Sequence, residues 1–204
     1  MRMTRQPLFL IAAFTSVFFS NTQAATIADE CKRLFDEALW QQALSPCIQA
    51  AKAGDRPSQS ILGELYDRQG NSVRTHYWWS QAANAGYLPA RNQLAMKYYY
   101  GGSVFGKEKG WKQDYAKAYE IWKQDALQGV ASAQFIVGEM HFRGQGVEQD
   151  LSEAWAWFNL ALDRGYKMAD DSLVEISKVI TQKQRQLGKT KLAEYQRQIG
   201  KGEL

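Results

Sequence analysis

Four glycines, Gly54, Gly86, Gly129 and Gly165, close segments that match one another column for column, and this repetition constrains the fold of the 204-residue chain more than any other feature. Eleven residues before each glycine stand Ala43, Thr75, Ala118 and Ala154. Eight and seven before it stand Pro46-Cys47, Trp78-Trp79, Ile121-Trp122 and Trp157-Phe158, followed by Ala50-Ala51, Ala82-Ala83, Asp125-Ala126 and Ala161-Leu162. Spacings of three and four trace one face of a helix, and a closing Gly suits the left-handed residue that ends one. Reading forwards, Ser58, Ala90, Ala133 and Ala169 stand four residues past the glycines. Three units continue with Leu62-Gly63, Leu94-Ala95 and Val137-Gly138, then Tyr66, Tyr98 and His141, then the breakers Gly70, Gly101 and Gly144. Each unit is therefore predicted to be a helix, a glycine turn and a second helix. Gly inside a helix costs about 1 kcal/mol relative to Ala, so Gly63 and Gly138, like Ala95, predict close approach of a partner helix.

The cleanest unit runs through Ala133, Val137, Gly138, His141, Gly144, Gly146, Val147, Asp150, Ala154, Trp157, Ala161 and Gly165. It follows the pattern A-x-x-x-L-G-x-x-Y-x-x-G-x-G-V-x-x-D-x-x-x-A-x-x-W-x-x-x-A-A-x-x-G. The chain thus resembles the Sel-one-like repeat family, related to the tetratricopeptide repeats, over about residues 43 to 165. It departs from the pattern at His141 in the Tyr column, at Ile121 in the Trp column and in its unequal glycine spacings of 32, 43 and 36. The resemblance implies an all-α protein, a right-handed α-solenoid of stacked antiparallel helix hairpins forming a single domain over 25–204. Its parts are expected as a capping hairpin at 25–54, repeats at 55–86, 87–129 and 130–165, and capping helices at 166–204. The second repeat carries an insertion at 102–113, which such arrays place in a loop on one face, often the binding face. The C-terminal cap reads as two helices, Asp170 to Leu187 and Lys189 to Ile199, separated by Gly188 and polar on their outer face.

Ahead of the repeats, Arg2 and Arg5 precede an apolar run from Leu8 to Phe19, then polar residues and the small pair Ala24-Ala25. This is the layout of a secretory signal peptide over residues 1–24, with Thr22 and Ala24 at the minus three and minus one positions of the cleavage site. The run of twelve falls short of the roughly 20 residues a membrane span needs, and an uncleaved anchor is the alternative. The expected location is periplasmic or secreted. There the chain's two cysteines, Cys31 and Cys47, meet an oxidising environment. Each stands eight residues from a turn near Leu39, so an antiparallel hairpin brings them level; one disulfide is the economical reading, and two unpaired core thiols are the alternative.

Removing Arg2 and Arg5 with the leader reduces the net charge from +4 to +2, too little for a nucleic-acid footprint. No H-E-x-x-H, G-x-S-x-G, S-x-x-K or P-loop occurs, and Gly144-x-Gly146 follows a helix rather than a strand. The two histidines lie in different units, His141 as an expected core residue and His76 as a surface or capping one, and Asp150 with Glu153 reads as a capping box. The expectation is therefore no catalytic set, no metal and no cofactor. What remains is a surface. The first helices of the hairpins are expected to line a concave groove carrying Glu64, Arg91, Tyr99, Glu139 and Arg143, with Phe105 and Trp111 contributed by the inserted loop. Successive helical residues are turned by about 100°, so at least one ring of Tyr98-Tyr99-Tyr100 should be exposed. Mixed charge beside Tyr suits a protein or peptide partner. The resemblance thus implies a non-catalytic interaction scaffold or adaptor. An immunity protein against a secreted toxin, or a weak β-lactam- or peptidoglycan-binding enzyme, are the alternatives it allows.

Overall fold

The computed structural model describes residues 26–103 and 111–201; the leader segment 1–24 and Phe105 lie outside the described residues. Within them the regular structure is helical throughout, and it divides into two compact units between Tyr87 and Leu88. The first unit holds α1 (26–36), α2 (Trp40–Lys52), α3 (Arg56–Arg68) and α4 (Ser72–Asn84). The second holds α5 (Leu88–Tyr100), a 3-10 turn (Gly101–Ser103), α6 (Tyr115–Leu127), α7 (Ala131–Arg143), α8 (Leu151–Asp163), α9 (Met168–Ser177) and α10 (Gln182–Lys201). Sequential helices from α2 to α4 and from α5 to α9 pack on one another inside their units, and α10 packs on α8.

The recurring columns are the packing contacts themselves. All four aligned glycines take positive φ, between 81° and 92°, the left-handed conformation in which a Cβ is penalised. The small residue inside each first helix receives the ring seven residues before the next glycine. A Cβ on Gly63 would overlap the Trp79 indole, and one on Gly138 would lie 2.6 Å from Phe158 Cδ1. Ala95 shares a cluster with Trp122. The buried ring column is therefore the one holding Trp79, Trp122 and Phe158, each at most 3% exposed, and Ile121 beside Trp122 is no defect in it. In the first hairpin this contact is replaced by a covalent one. Cys31 of α1 and Cys47 of α2 form a disulfide with a Cα–Cα distance of 4.7 Å, and they are 16 residues apart, the same separation as Gly63 and Trp79.

Helix starts use short polar side chains. Asp55, Asn71, Asp114 and Asp150 each accept a backbone N–H from the first turn of α3, α4, α6 and α8. Asp150 completes only half of the predicted capping box, because the Glu153 carboxylate turns away to Trp157, Lys191 and Tyr195. The C-terminal cap also differs from expectation. α9 stops at Ser177, and α10 runs unbroken through Gly188. Its start is a reciprocal capping box, with Gln184 N–H donating to Thr181 Oγ1 at 3.2 Å and Thr181 N–H donating to Gln184 Oε1 at 2.9 Å. Gly188 marks a close approach instead of a break, since a Cβ there would lie 3.0 Å from both the Ser152 carbonyl oxygen and the Trp155 ring.

Candidate interaction surface

In the second unit the end of α5, residues 111–114 leading into α6 and the turn after α7 converge on Tyr99. Its ring meets Tyr115 and Tyr100 edge-on at 4.9 Å and Trp122 at 5.6 Å, while its hydroxyl donates to Gln145 Oε1 at 2.6 Å. Burial and the neighbouring tyrosines raise the Tyr99 pKa, and the nearby Arg143 pulls against them. Gln113 stitches the loop to α5, its amide donating to the Tyr99 carbonyl and to the Tyr115 hydroxyl, both at 2.9 Å. Trp111 packs half-buried against Tyr98 at 5.5 Å. Of the three consecutive tyrosines, Tyr98 and Tyr99 are half-buried and Tyr100 is 47% exposed, as the 100° rotation requires.

Arg143 projects from the last turn of α7 with its side chain 61% exposed, paired to Glu139 at 2.8 Å. Glu139 is in turn fixed by the Ser172 hydroxyl of α9 at 2.9 Å. The structure therefore brings Tyr99, Glu139 and Arg143 to one surface, with the exposed Tyr100 beside Tyr99. Glu64 lies in the first unit, paired to Arg68 at 2.6 Å, and Arg68 stacks on the 43%-exposed ring of Trp40 at 4.4 Å. The sequence pattern does not single out Trp40 as a surface residue, although no apolar column claims it. Arg91 does not belong to any surface. It is buried, paired to Asp125 at 2.9 Å and donating to Gln124 at 3.1 Å. The reason is its column: five residues past their glycines, Gln59 and Gln134 are equally buried, each donating at 3.1 Å to the carbonyl of Ala51 or Ala126. Arg91 fills that same position.

A polar chain runs beneath this region. Lys123 Nζ donates to the Tyr119 hydroxyl at 3.0 Å, and that hydroxyl lies 3.1 Å from His141 Nε2. With the Tyr oxygen accepting from Lys, its proton is free to donate to Nε2, which must then be unprotonated. His141 also borders a cleft of about 580 Å³ lined by Glu148, Asp150, Glu153 and Gln184. Burial lowers the His141 pKa and Lys123 adds to that, against the pull of Glu153 and Asp150. The unfolded chain, whose His titrates near 6.5, therefore takes up the proton first as pH falls. Stability is expected to decline on acidification from pH 7 towards 5. His141→Tyr, the residue of the equivalent columns at Tyr66 and Tyr98, should flatten that decline; denaturant titrations at pH 7 and pH 5 measure it, and parallel slopes for both proteins would refute it.

The sequence profile of the Sel1 repeat matches residues 58–87 and 131–166. Chitin synthase regulator SKT5 of Saccharomyces cerevisiae is 30% identical over 132 residues, covering 62% of this chain and 18% of its own. The ERAD-associated E3 ubiquitin-protein ligase component HRD3B of Arabidopsis thaliana is 30% identical over 112 residues, covering 54% and 17%. This chain thus spans less than a fifth of either relative. A protective antigen of uropathogenic Escherichia coli displaying an SLR fold superposes with a TM-score of 0.65 at 28% identity, over 78% of this chain and 33% of that one. A Sel1 repeat protein from Oxalobacter formigenes has the same fold, with a TM-score of 0.61 at 20% identity over 83% of this chain and 70% of its own.

Proposed function

We propose that this Sel1-repeat chain is an exported, non-catalytic scaffold or adaptor that binds a partner protein through the surface of Tyr99, Tyr100, Glu139 and Arg143. The observation that carries the reading is the pre-set Arg143. A guanidinium held by a carboxylate that a third residue fixes, near the half-buried Tyr99, loses little side-chain freedom on binding, and Arg and Tyr are among the residue types that dominate interface energetics. The curated relatives, named as a regulator and as a ligase component, are consistent with a role in assembly rather than turnover. Among the described residues no group of three or more His, Cys, Asp or Glu side chains could hold a metal ion, and no helix is long and apolar enough to cross a membrane.

The test is affinity capture of a C-terminally tagged chain from its own envelope extract. A stoichiometric partner is expected, with retention falling about tenfold or more in Tyr100→Ala and Arg143→Glu, while circular dichroism and melting temperature stay close to those of the parent. Retention unchanged in both variants would refute the assignment of this surface. The exported protein should begin at Ala25 on N-terminal sequencing; an intact Met1 would refute cleavage.

A further inference from the structure

Helix α8 buries far more than one face. Ala154, Ala156, Trp157, Phe158, Leu160 and Ala161 are all buried, which requires cover beyond its hairpin partner α7. Phe158 faces the cluster shared with α9, whereas Trp157 and Leu160 join Tyr119 and Trp122 of α6. The cover over that second face is α10, which packs on α8 and reaches α6 rather than resting on α9. Its close approach to α8 is made by backbone, at the buried Gly188 against Ser152 and Trp155, and its side chains add little burial. Each helix from α2 to α9 contributes at least two buried residues, whereas among the side chains of α10 Leu192, Tyr195 and Ile199 reach the cluster only half-buried. Polar contacts fix the register: Tyr195 lies over Trp157 at 4.2 Å, Lys191 and the Tyr195 hydroxyl donate to Glu153 at 2.7 and 2.9 Å, and Gln196 donates to Asp163 at 3.2 Å. A large aromatic floor with one carboxylate is thus closed by a polar helix that offers three apolar side chains and one cation.

We propose that the α6/α8 face is a helix-binding groove which α10 occupies in cis, and that α10 gives way there to an amphipathic helix of a partner protein. The occupant is specified by what sits there now: a cation followed at +1, +4 and +8 by an apolar residue, Tyr and an apolar residue, as in Lys191, Leu192, Tyr195 and Ile199. This is helix-in-groove recognition with the anchors of one helix face, and the cis helix lowers the apparent affinity by the fraction of time the groove is closed. The inference does not rest on the Tyr99 and Arg143 surface.

The probe is a labelled peptide of residues 182–201, titrated by fluorescence anisotropy against the full chain and against the full chain carrying Leu192→Asp and Ile199→Asp, which undock α10 while leaving the groove unchanged. The peptide should bind the double variant at least about tenfold more tightly than the parent, and its Tyr195→Ala form should lose that binding. Equal binding to both chains, or none to a double variant that keeps the helicity of the rest, would overturn the proposal. So would a concentration-dependent dimer of the parent by light scattering, which would make a second copy the occupant. If the double variant fails to fold, hydrogen exchange on the parent decides. Amides of α10 should exchange at least about tenfold faster than those of α8; equal rates would mean that α10 opens only with the whole unit and the proposal fails.

Discussion

Phe158→Ala is expected to lower the unfolding free energy by about 3–5 kcal/mol, the range for emptying a fully buried aromatic site. The ring is 0% exposed and lies between α7, α8 and α9, beside Phe135 at 5.8 Å and Phe142 at 6.5 Å. Its distinctive neighbour is Gly138, where a Cβ would sit 2.6 Å from the ring. Alanine is the better helix former by about 1 kcal/mol, yet in the parent chain Gly138→Ala should still destabilise, by about 1–2 kcal/mol, because the methyl displaces a packed ring. In the Phe158→Ala background the same substitution meets a void and gains both helix propensity and contact, so its sign should reverse. Urea titration of the two single variants and the double variant closes this cycle. If Gly138→Ala has the same effect in both backgrounds, the glycine is not retained for the ring.

Arg91→Ala is expected to cost about 3–5 kcal/mol, the loss found when one partner of a buried ion pair is removed and the other charge is stranded. Burial already raises the Asp125 pKa against the pull of Arg91. Without the guanidinium, the ionised carboxylate is disfavoured in the folded state above its raised pKa. The deficit of Arg91→Ala relative to the parent should therefore be largest at pH 8 and shrink on acidification, as protonation relieves the folded protein first. The pair is also a matched departure from the repeat, since the equivalent columns hold Gln59 and Gln134 at one position and Ala50, Ala82 and Ala161 at the other. Restoring both, as Arg91→Gln with Asp125→Ala, should return stability to within about 1 kcal/mol of the parent, because a buried pair is roughly matched by well-packed neutral groups. Denaturation of the single and double variants tests this, and a double variant as unstable as Arg91→Ala would show that the pair has no such equivalence.

These two sites mark where the repeat was readable and where it was not. Period and glycine placement announced the hairpins, the left-handed turns and the close approaches at Gly63 and Gly138, because each depends on residues within one helix or on the absence of a Cβ. Charge alone predicts an exposed Arg91; the Gln column that it occupies is visible in the chain, but the burial of that column depends on a carbonyl of the preceding helix. Glycine weakens a helix and so predicts a break at Gly188, whereas the Thr181 and Gln184 capping box sets the true start.

The sequence by itself determined the helical units of the repeats and their order, since these follow from periodicity, and it narrowed Cys31 and Cys47 to two readings, of which the structure has the disulfide. Only the tertiary structure decided which polar residues are spent inside and which remain outward. It grouped Tyr99, Glu139 and Arg143, withdrew Arg91, and laid α10 over α8. Those outcomes depend on contacts between helices distant in the chain, and a charged or polar side chain reads the same in sequence whether its partner is water or a carboxylate brought to it by the fold.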